Sequence, residues 1–170
     1  MSLESLPAEV AANGDVTAYR RALGAFATGV CVVTADSVQG PLGITINSFT
    51  SVSLTPRLVL WCLDERSERW QAFSAAERFS IHVLDAQSEA LARRFAKGIG
   101  LMEESEFQRV GDAAPRLGAA AARFDCRTHD RVQMGDHMVI VGEVEAFEAS
   151  DAATLTYFRG RYGVAGGAGA

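Results

Sequence analysis

Apolar positions along this chain come mostly in short alternating or continuous runs, the spacing of strands, and only in a few places at helical spacing. Asp15 can cap a helix from Val16 to about Ala27, with Tyr19, Leu23 and Phe26 on one stripe and Gly29 as its stop. Val30–Thr34 reads as a buried strand, and 36–41 is turn chemistry. Leu58–Leu63 is a second buried strand. Ser67 is placed to cap a short helix over 68–76. Phe79–Leu84 is a strand, and Asp85 can cap a helix whose stripe includes Leu91 and Phe95. Residues 98–118 lack periodicity and predict a long loop with a helical turn. Alternation resumes over 122–127. Gly135-Asp136 is a turn, Met138–Val144 a strand, and Tyr157-Phe158 part of the last strand. Residues 1–14 read as a loose arm, 15–163 as one domain and 164–170 as a flexible, glycine-rich tail. Many strands with short helices between them give an α+β class, mainly β.

One run breaks the usual strand pattern. In Gly43-Ile-Thr-Ile-Asn-Ser-Phe-Thr-Ser-Val-Ser-Leu-Thr-Pro56, alternation puts Gly43, Thr45 and Asn47 on one face and Ile44, Ile46 and Ser48 on the other. The first face is small and polar where strands usually carry bulk. It can lie against a flat polar ring and hydrogen-bond to its edge. Ser51-Val52-Ser53 follows, expected as backbone leaving the strand. Taken alone, the same residues also describe a polar edge strand and an ordinary serine-rich turn.

Five segments, in order, carry a family resemblance. They are Tyr19–Val30, the small-faced run, Phe79–Leu84 followed by Arg94-Phe95-Ala96, Gly135-Asp136-His137, and Leu155–Tyr162. Over roughly residues 16 to 163 the chain resembles the short-chain flavin reductases, the reductase partners of two-component flavin monooxygenases. The resemblance implies an FMN-binding split β-barrel with flanking helices, and a homodimer with each flavin site near the subunit interface. It implies NAD(P)H-dependent reduction of FMN or FAD, with NADH or NADPH as donor and a separate monooxygenase as recipient. One departure is Pro56-Arg57 where the family often has Pro-Pro; the second residue regains a backbone N–H.

A flavin needs a planar slot, donors along its polar ring edge and an anion site for its phosphate. Thr45, Asn47, Ser48, Ser51, Val52 and Ser53 fit the first two, and Cys62 lies on the strand leading to the phosphate loop. For the phosphate, Arg66-Ser67 precedes a helix, and Arg66 or Arg69 can add charge; a plain helix cap with solvated arginines has the same sequence. Phe95 and Lys97 are candidates for the same end, although Phe95 also suits a core and Lys97 a helix C-terminus. The resemblance places His137 beside the nicotinamide, where it shapes the pocket and holds the carboxamide. Hydride passes directly between rings, so positioning supplies most of the catalysis. Tyr157, Arg159 and Tyr162 wall either the nicotinamide pocket or the dimer interface. His82 reads as structural, with a side-chain hydrogen bond near the flavin as the other option, and His129 as surface.

Composition narrows the alternatives. The 170 residues, 48% hydrophobic, suit one domain with a sizeable core. The net charge of −5, without a basic stripe, gives nucleic-acid binding no support. No run is long enough to span a bilayer, and the start lacks signal-peptide character. Cys31, Cys62 and Cys126 show no disulfide framework and, with the three histidines, no metal spacing. A reducing cytoplasm is the expected location. No Gly-x-Gly-x-x-Gly follows a strand, which excludes a Rossmann dinucleotide domain. Three rival readings are a split-barrel oxidase with tightly held FMN, a non-catalytic flavin carrier, and a barrel that binds neither ligand.

Overall fold

A computed structural model describes residues 15–118 and 120–165; the expected arm and residues 166–170 of the expected tail lie outside them. In chain order the elements are α1 (Val16–Leu23), β1 (Thr28–Gly29), β2 (Cys31–Ser37), β3 (Gly40–Ile46), β4 (Thr50–Leu54) and β5 (Arg57–Asp64). They continue as α2 (Trp70–Ala75), β6 (Arg78–Val83), α3 (Glu89–Arg94), a single 3-10 turn (Glu104–Glu106), β7 (Ala122–Met134), β8 (His137–Ala149), β9 (Thr154–Phe158) and β10 (Arg161–Ala165). The mainly β, α+β expectation holds.

Two antiparallel sheets organise the chain. One has seven strands in the order β3-β2-β6-β7-β8-β5-β4, the other three in the order β1-β9-β10. The large sheet covers a core in which Trp61 meets Phe73 edge-on at 5.3 Å and Phe79 at 6.0 Å. The second core, Val30, Val32, Leu84, Ala92, Phe95 and Leu155, joins the small sheet to α3. Burial of these large side chains is the main force holding the fold.

The ends of several elements differ from the sequence reading, each for a local reason. Helix α1 starts at Asp15, whose carboxylate accepts from the Ala18 N–H at 2.9 Å, but stops at Leu23 rather than Ala27. Two tighter turns follow, Ala25 N–H to Ala22 O and Phe26 N–H to Leu23 O, because Thr28 and Gly29 are taken into a ladder with β9. Strands β2 and β3 pair out to Ser37 and Gly40, which shrinks the expected turn to two residues. Ser51–Ser53 is not a turn: it belongs to edge strand β4, paired with β5. Gly163, Val164 and Ala165 pair with β9, so ordered structure runs two residues past the expected boundary.

The loop 98–118 is fastened by polar contacts and by Met102 and Leu117, which enter the second core without helical or strand spacing. Arg116 and Arg123 reach the buried Asp125 carboxylate, which also accepts from Ser80 Oγ at 2.7 Å. His82 is fully buried; its Nδ1–H donates to the Val32 carbonyl at 3.1 Å, and its Nε2 accepts from the Leu117 N–H at 3.1 Å. Burial depresses its pKa to about 4. His82 is therefore a neutral structural tie, and His129 is exposed, as expected.

Candidate functional site

The small face of β3 does not stay open. A Cβ at Gly43 would stand 2.9 Å from Cδ1 of the fully buried Phe95 ring. Thr45 Oγ1 donates to the Ala92 carbonyl at 2.7 Å. The flat ring lying against this face is thus the chain's own Phe95, and the expectation of a ligand slot over Gly43 and Thr45 is corrected. Phe95 is core, seated where β3 has no side chain. The outer edge of β3 is covered as well: the Gly43 N–H donates to Gly100 O at 2.9 Å, Thr45 N–H to Phe95 O at 3.0 Å, and Met102 N–H to Pro41 O at 2.9 Å.

Beyond Ile46 the picture changes. Asn47 is exposed, and Ser48 turns its hydroxyl onto β5, accepting from the Cys62 N–H at 2.9 Å. Ser48 continues the register in which Thr50 faces Leu60 and Ser51 faces Val59, with a side chain standing in for backbone. Val52 is the extra residue of a bulge between Ser51 and Ser53 and is half exposed. Strand β4 ends the large sheet, and among the described residues no strand pairs with its outer edge. Its outward N–H and C=O groups are therefore available to a polar ligand.

Strand β5 carries this strip to the other candidates. Cys62 is half-buried, and burial raises its thiol pKa, opposed by the Ser48 hydrogen bond. Two residues on, Asp64 pairs with His137 across the β5–β8 ladder. Arg66 grips Asp64 through two bonds, Nε to Oδ1 at 3.1 Å and Nη2 to Oδ2 at 2.9 Å. Those bonds hold the Asp64 carboxyl at about 2. His137 Nδ1–H donates to Asp136 Oδ1 at 2.7 Å, which lowers the Asp136 pKa. His137 is thus held by the residue before it, with part of its ring exposed.

The phosphate candidates separate here. Arg66 pairs with Asp64 at 2.9 Å and lies 3.9 Å from Asp136, so its charge is partly offset by carboxylates while its side chain stays exposed. Ser67 does not cap α2, which begins at Trp70 with Arg69 at its N-cap position. Its Oγ accepts from the Arg69 N–H at 3.2 Å, leaving the hydroxyl proton free to donate. Arg69 is 5% exposed, so it cannot meet a ligand from solvent as charge. Lys97 is exposed in the bend three residues past the end of α3, not within its last turn.

Tyr157, Arg159 and Tyr162 lie on the small sheet, away from the β5–β8 ladder that carries His137. The two tyrosine rings meet edge-on at 5.2 Å, and Arg93 lies over Tyr162 at 4.9 Å. Arg159 occupies the β9–β10 turn with φ 47 and donates its N–H to Gly24 O. Among the described residues no hydrogen bond, ion pair or ring contact joins them to His137. The sequence reading missed Asp64 and Asp136 as partners of Arg66 and His137. For Asp64 there was a cue: an Asp at a strand end, whose carboxylate accepts from the N–H two residues on, here Arg66 at 2.9 Å.

The strip from Asn47 through β4 to Ser67 suits a flavin in its donor chemistry: exposed amide and hydroxyl groups, an unpaired strand edge and a hydroxyl with a spare proton. A cavity of about 240 Å³ lies elsewhere, lined by Arg78, Asp112, Arg116, Asp125, Cys126 and Glu145. Cys31 is buried in the large core, its thiol pushed up to about 12, and burial also raises Cys126.

The fold is that of the flavin reductases. The chain belongs to the flavin reductase like domain family, which matches residues 23–166. It is 43% identical over 145 residues to the FMN reductase (NADH) SmoA of Agrobacterium fabrum, covering 85% of this chain and 83% of that protein. It is also 43% identical over 150 residues to a probable flavin reductase of Rhizobium meliloti, covering 87% of this chain but only 48% of that longer protein. Among solved structures it superposes on the NADH:FAD oxidoreductase SgcE6 of Streptomyces globisporus, in complex with NAD and FAD fragments. The TM-score is 0.83 at 33% identity, over 92% of this chain and 96% of that one. The two-sheet architecture is therefore the split barrel that the resemblance implied.

Proposed function

We propose that this chain is an NAD(P)H-dependent flavin reductase that reduces FMN or FAD and supplies it to a separate monooxygenase. The observation that carries this reading is membership of the flavin reductase like family over almost the whole described chain. The open strip along β4 and β5 supports it. A relative at 34% identity, from Rhodococcus opacus, is the reductase component of a 4-nitrophenol monooxygenase.

Bound flavin supplies the hydride acceptor, and the nicotinamide supplies the hydride. In this reading the Asn47 amide and the free edge of β4 orient the polar rim of the ring. The Ser67 hydroxyl donates to the phosphate. Asp136 fixes the His137 ring so that it meets the nicotinamide in one orientation, limiting the entropy lost on docking. No side chain has to move a proton in the hydride step.

The strip is an open surface on one chain, so a second copy is part of the proposal. Helix α1 and the turn after it present Tyr19, Leu23 and Phe26 at 65%, 55% and 76% exposure, an apolar face that a homodimer would cover. No helix among the described residues is long and apolar enough to cross a membrane.

The test is nicotinamide oxidation by purified protein with NADH or NADPH and a molar excess of FMN, FAD or riboflavin. Many flavins reduced per protein is the expected result. Binding of flavin without acceleration would end the reductase reading.

A further inference from the structure

Two loops carry the phosphate-end candidates, and one residue joins them. Arg69 is buried and makes two contacts of different kinds. Its backbone N–H donates to Ser67 Oγ at 3.2 Å. Its guanidinium Nε donates to the Ile99 carbonyl at 3.2 Å, thirty residues away and two beyond Lys97. Its Nη2 is buried without a hydrogen-bond partner among the described residues. A charge left incompletely paired in the interior is costly, so its retention needs a reason.

Gly100 shows how closely the joint is built. It holds φ +72, and a Cβ there would stand 2.9 Å from Arg69 Nε and clash with the Gly43 carbonyl. The Gly100 carbonyl accepts from the Gly43 N–H. The 98–101 segment is thus clamped between β3 and the Arg69 side chain.

We propose that Arg69 is a positioning residue: it locks the Ser67 turn and the Lys97–Gly100 segment together, so that one phosphate subsite is built from two loops. This rests on the reading of Ser67 as a phosphate contact. Arg69 does not touch the ligand. Its backbone N–H occupies a Ser67 Oγ lone pair and leaves the hydroxyl proton free to donate, while its guanidinium ties that turn to the segment that bears Lys97. A phosphate monoester or pyrophosphate gains from both walls; a flavin that ends at the ribityl hydroxyl gains from neither.

The experiment compares dissociation constants of FMN and riboflavin, by flavin fluorescence, for the full chain and for Arg69→Met, Arg69→Lys and Ser67→Ala. Arg69→Met keeps the stem and the backbone bond to Ser67 but loses the donor to Ile99. It is expected to weaken FMN about tenfold, the effect of one lost charge-assisted hydrogen bond, with riboflavin unchanged. Arg69→Lys restores a donor and recovers most of the loss. Should Arg69→Met not fold, Arg69→Lys still decides: a small loss confined to FMN supports the lock. Equal losses for both flavins mean a general structural role and overturn it. No preference for FMN over riboflavin in the unmodified chain overturns the Ser67 reading and the lock with it. A preference abolished by Ser67→Ala but untouched by Arg69→Met overturns the lock alone.

Discussion

Phe95 fills the place that a side chain on Gly43 would occupy, with its Cδ1 2.9 Å from the position of a Cβ. The pair joins the C-terminus of α3 to the edge of the large sheet. Gly43→Ala should destabilise the fold by about 1–3 kcal/mol, the usual cost of overpacking. That corresponds to a melting shift of roughly 2–4 °C per kcal/mol for a domain of this size. Adding Phe95→Leu should recover part of the loss in a double-mutant cycle, since the clash is with that ring. Additive effects would show that the two do not couple.

His82 gives the fold an acid-side weakness. Its folded pKa, about 4, lies below the ordinary value of 6.5. Above 6.5 both folded and unfolded chains hold it neutral, and its full stabilisation is present. As the pH falls from 6.5 towards 4, the unfolded chain takes up a proton that the folded chain refuses. Stability should drop across that window by up to about 3 kcal/mol. Urea unfolding at about pH 7 and about pH 4.5 measures it. His82→Asn keeps a donor and an acceptor but does not titrate, so its curve should be flatter. An equally steep curve in the variant would assign the acid loss to other groups.

His137→Ala should lower kcat/KM for the nicotinamide by about tenfold, the scale of one lost positioning contact. The flavin dissociation constant should stay within about twofold. Asp136→Asn should produce a smaller effect of the same kind, because the amide still accepts from the His137 ring. Collapse of flavin affinity with nicotinamide use intact would put His137 on the wrong ligand.

The apolar face of α1 should be a self-association surface. Light scattering on the eluting protein is expected to give twice the chain mass. Replacing both Tyr19 and Phe26 by Glu should give single chains that keep their secondary structure but lose flavin reduction. A dimer that survives both charges would move the interface elsewhere.

The fold class was legible because it rests on local patterning. Runs such as Val30–Thr34, Leu58–Leu63 and Met138–Val144 alternate or stay apolar over strand lengths, and Asp15 marks the start of α1, whereas α3 starts behind Ser88 rather than at the expected Asp85 cap. Ends were less legible. Whether α1 runs on to Ala27 depends on Thr28 finding β9 more than a hundred residues later. Ser51–Ser53 became strand rather than turn because β5 was there to pair with it.

The sequence by itself determined the order of strands and short helices, the small polar run at Gly43–Ser53, and the family. These depend on side-chain size and polarity at fixed spacings, which the chain states residue by residue. The tertiary structure decided which part of that run is open. Gly43 and Thr45 are occupied because Phe95 and Ala92 fold back onto them. Arg66 is paired with Asp64 two residues before it, and Arg69 is buried with its guanidinium on the Ile99 carbonyl. A small or charged residue shows only what it could meet; its partner is chosen by contacts between segments far apart in the chain.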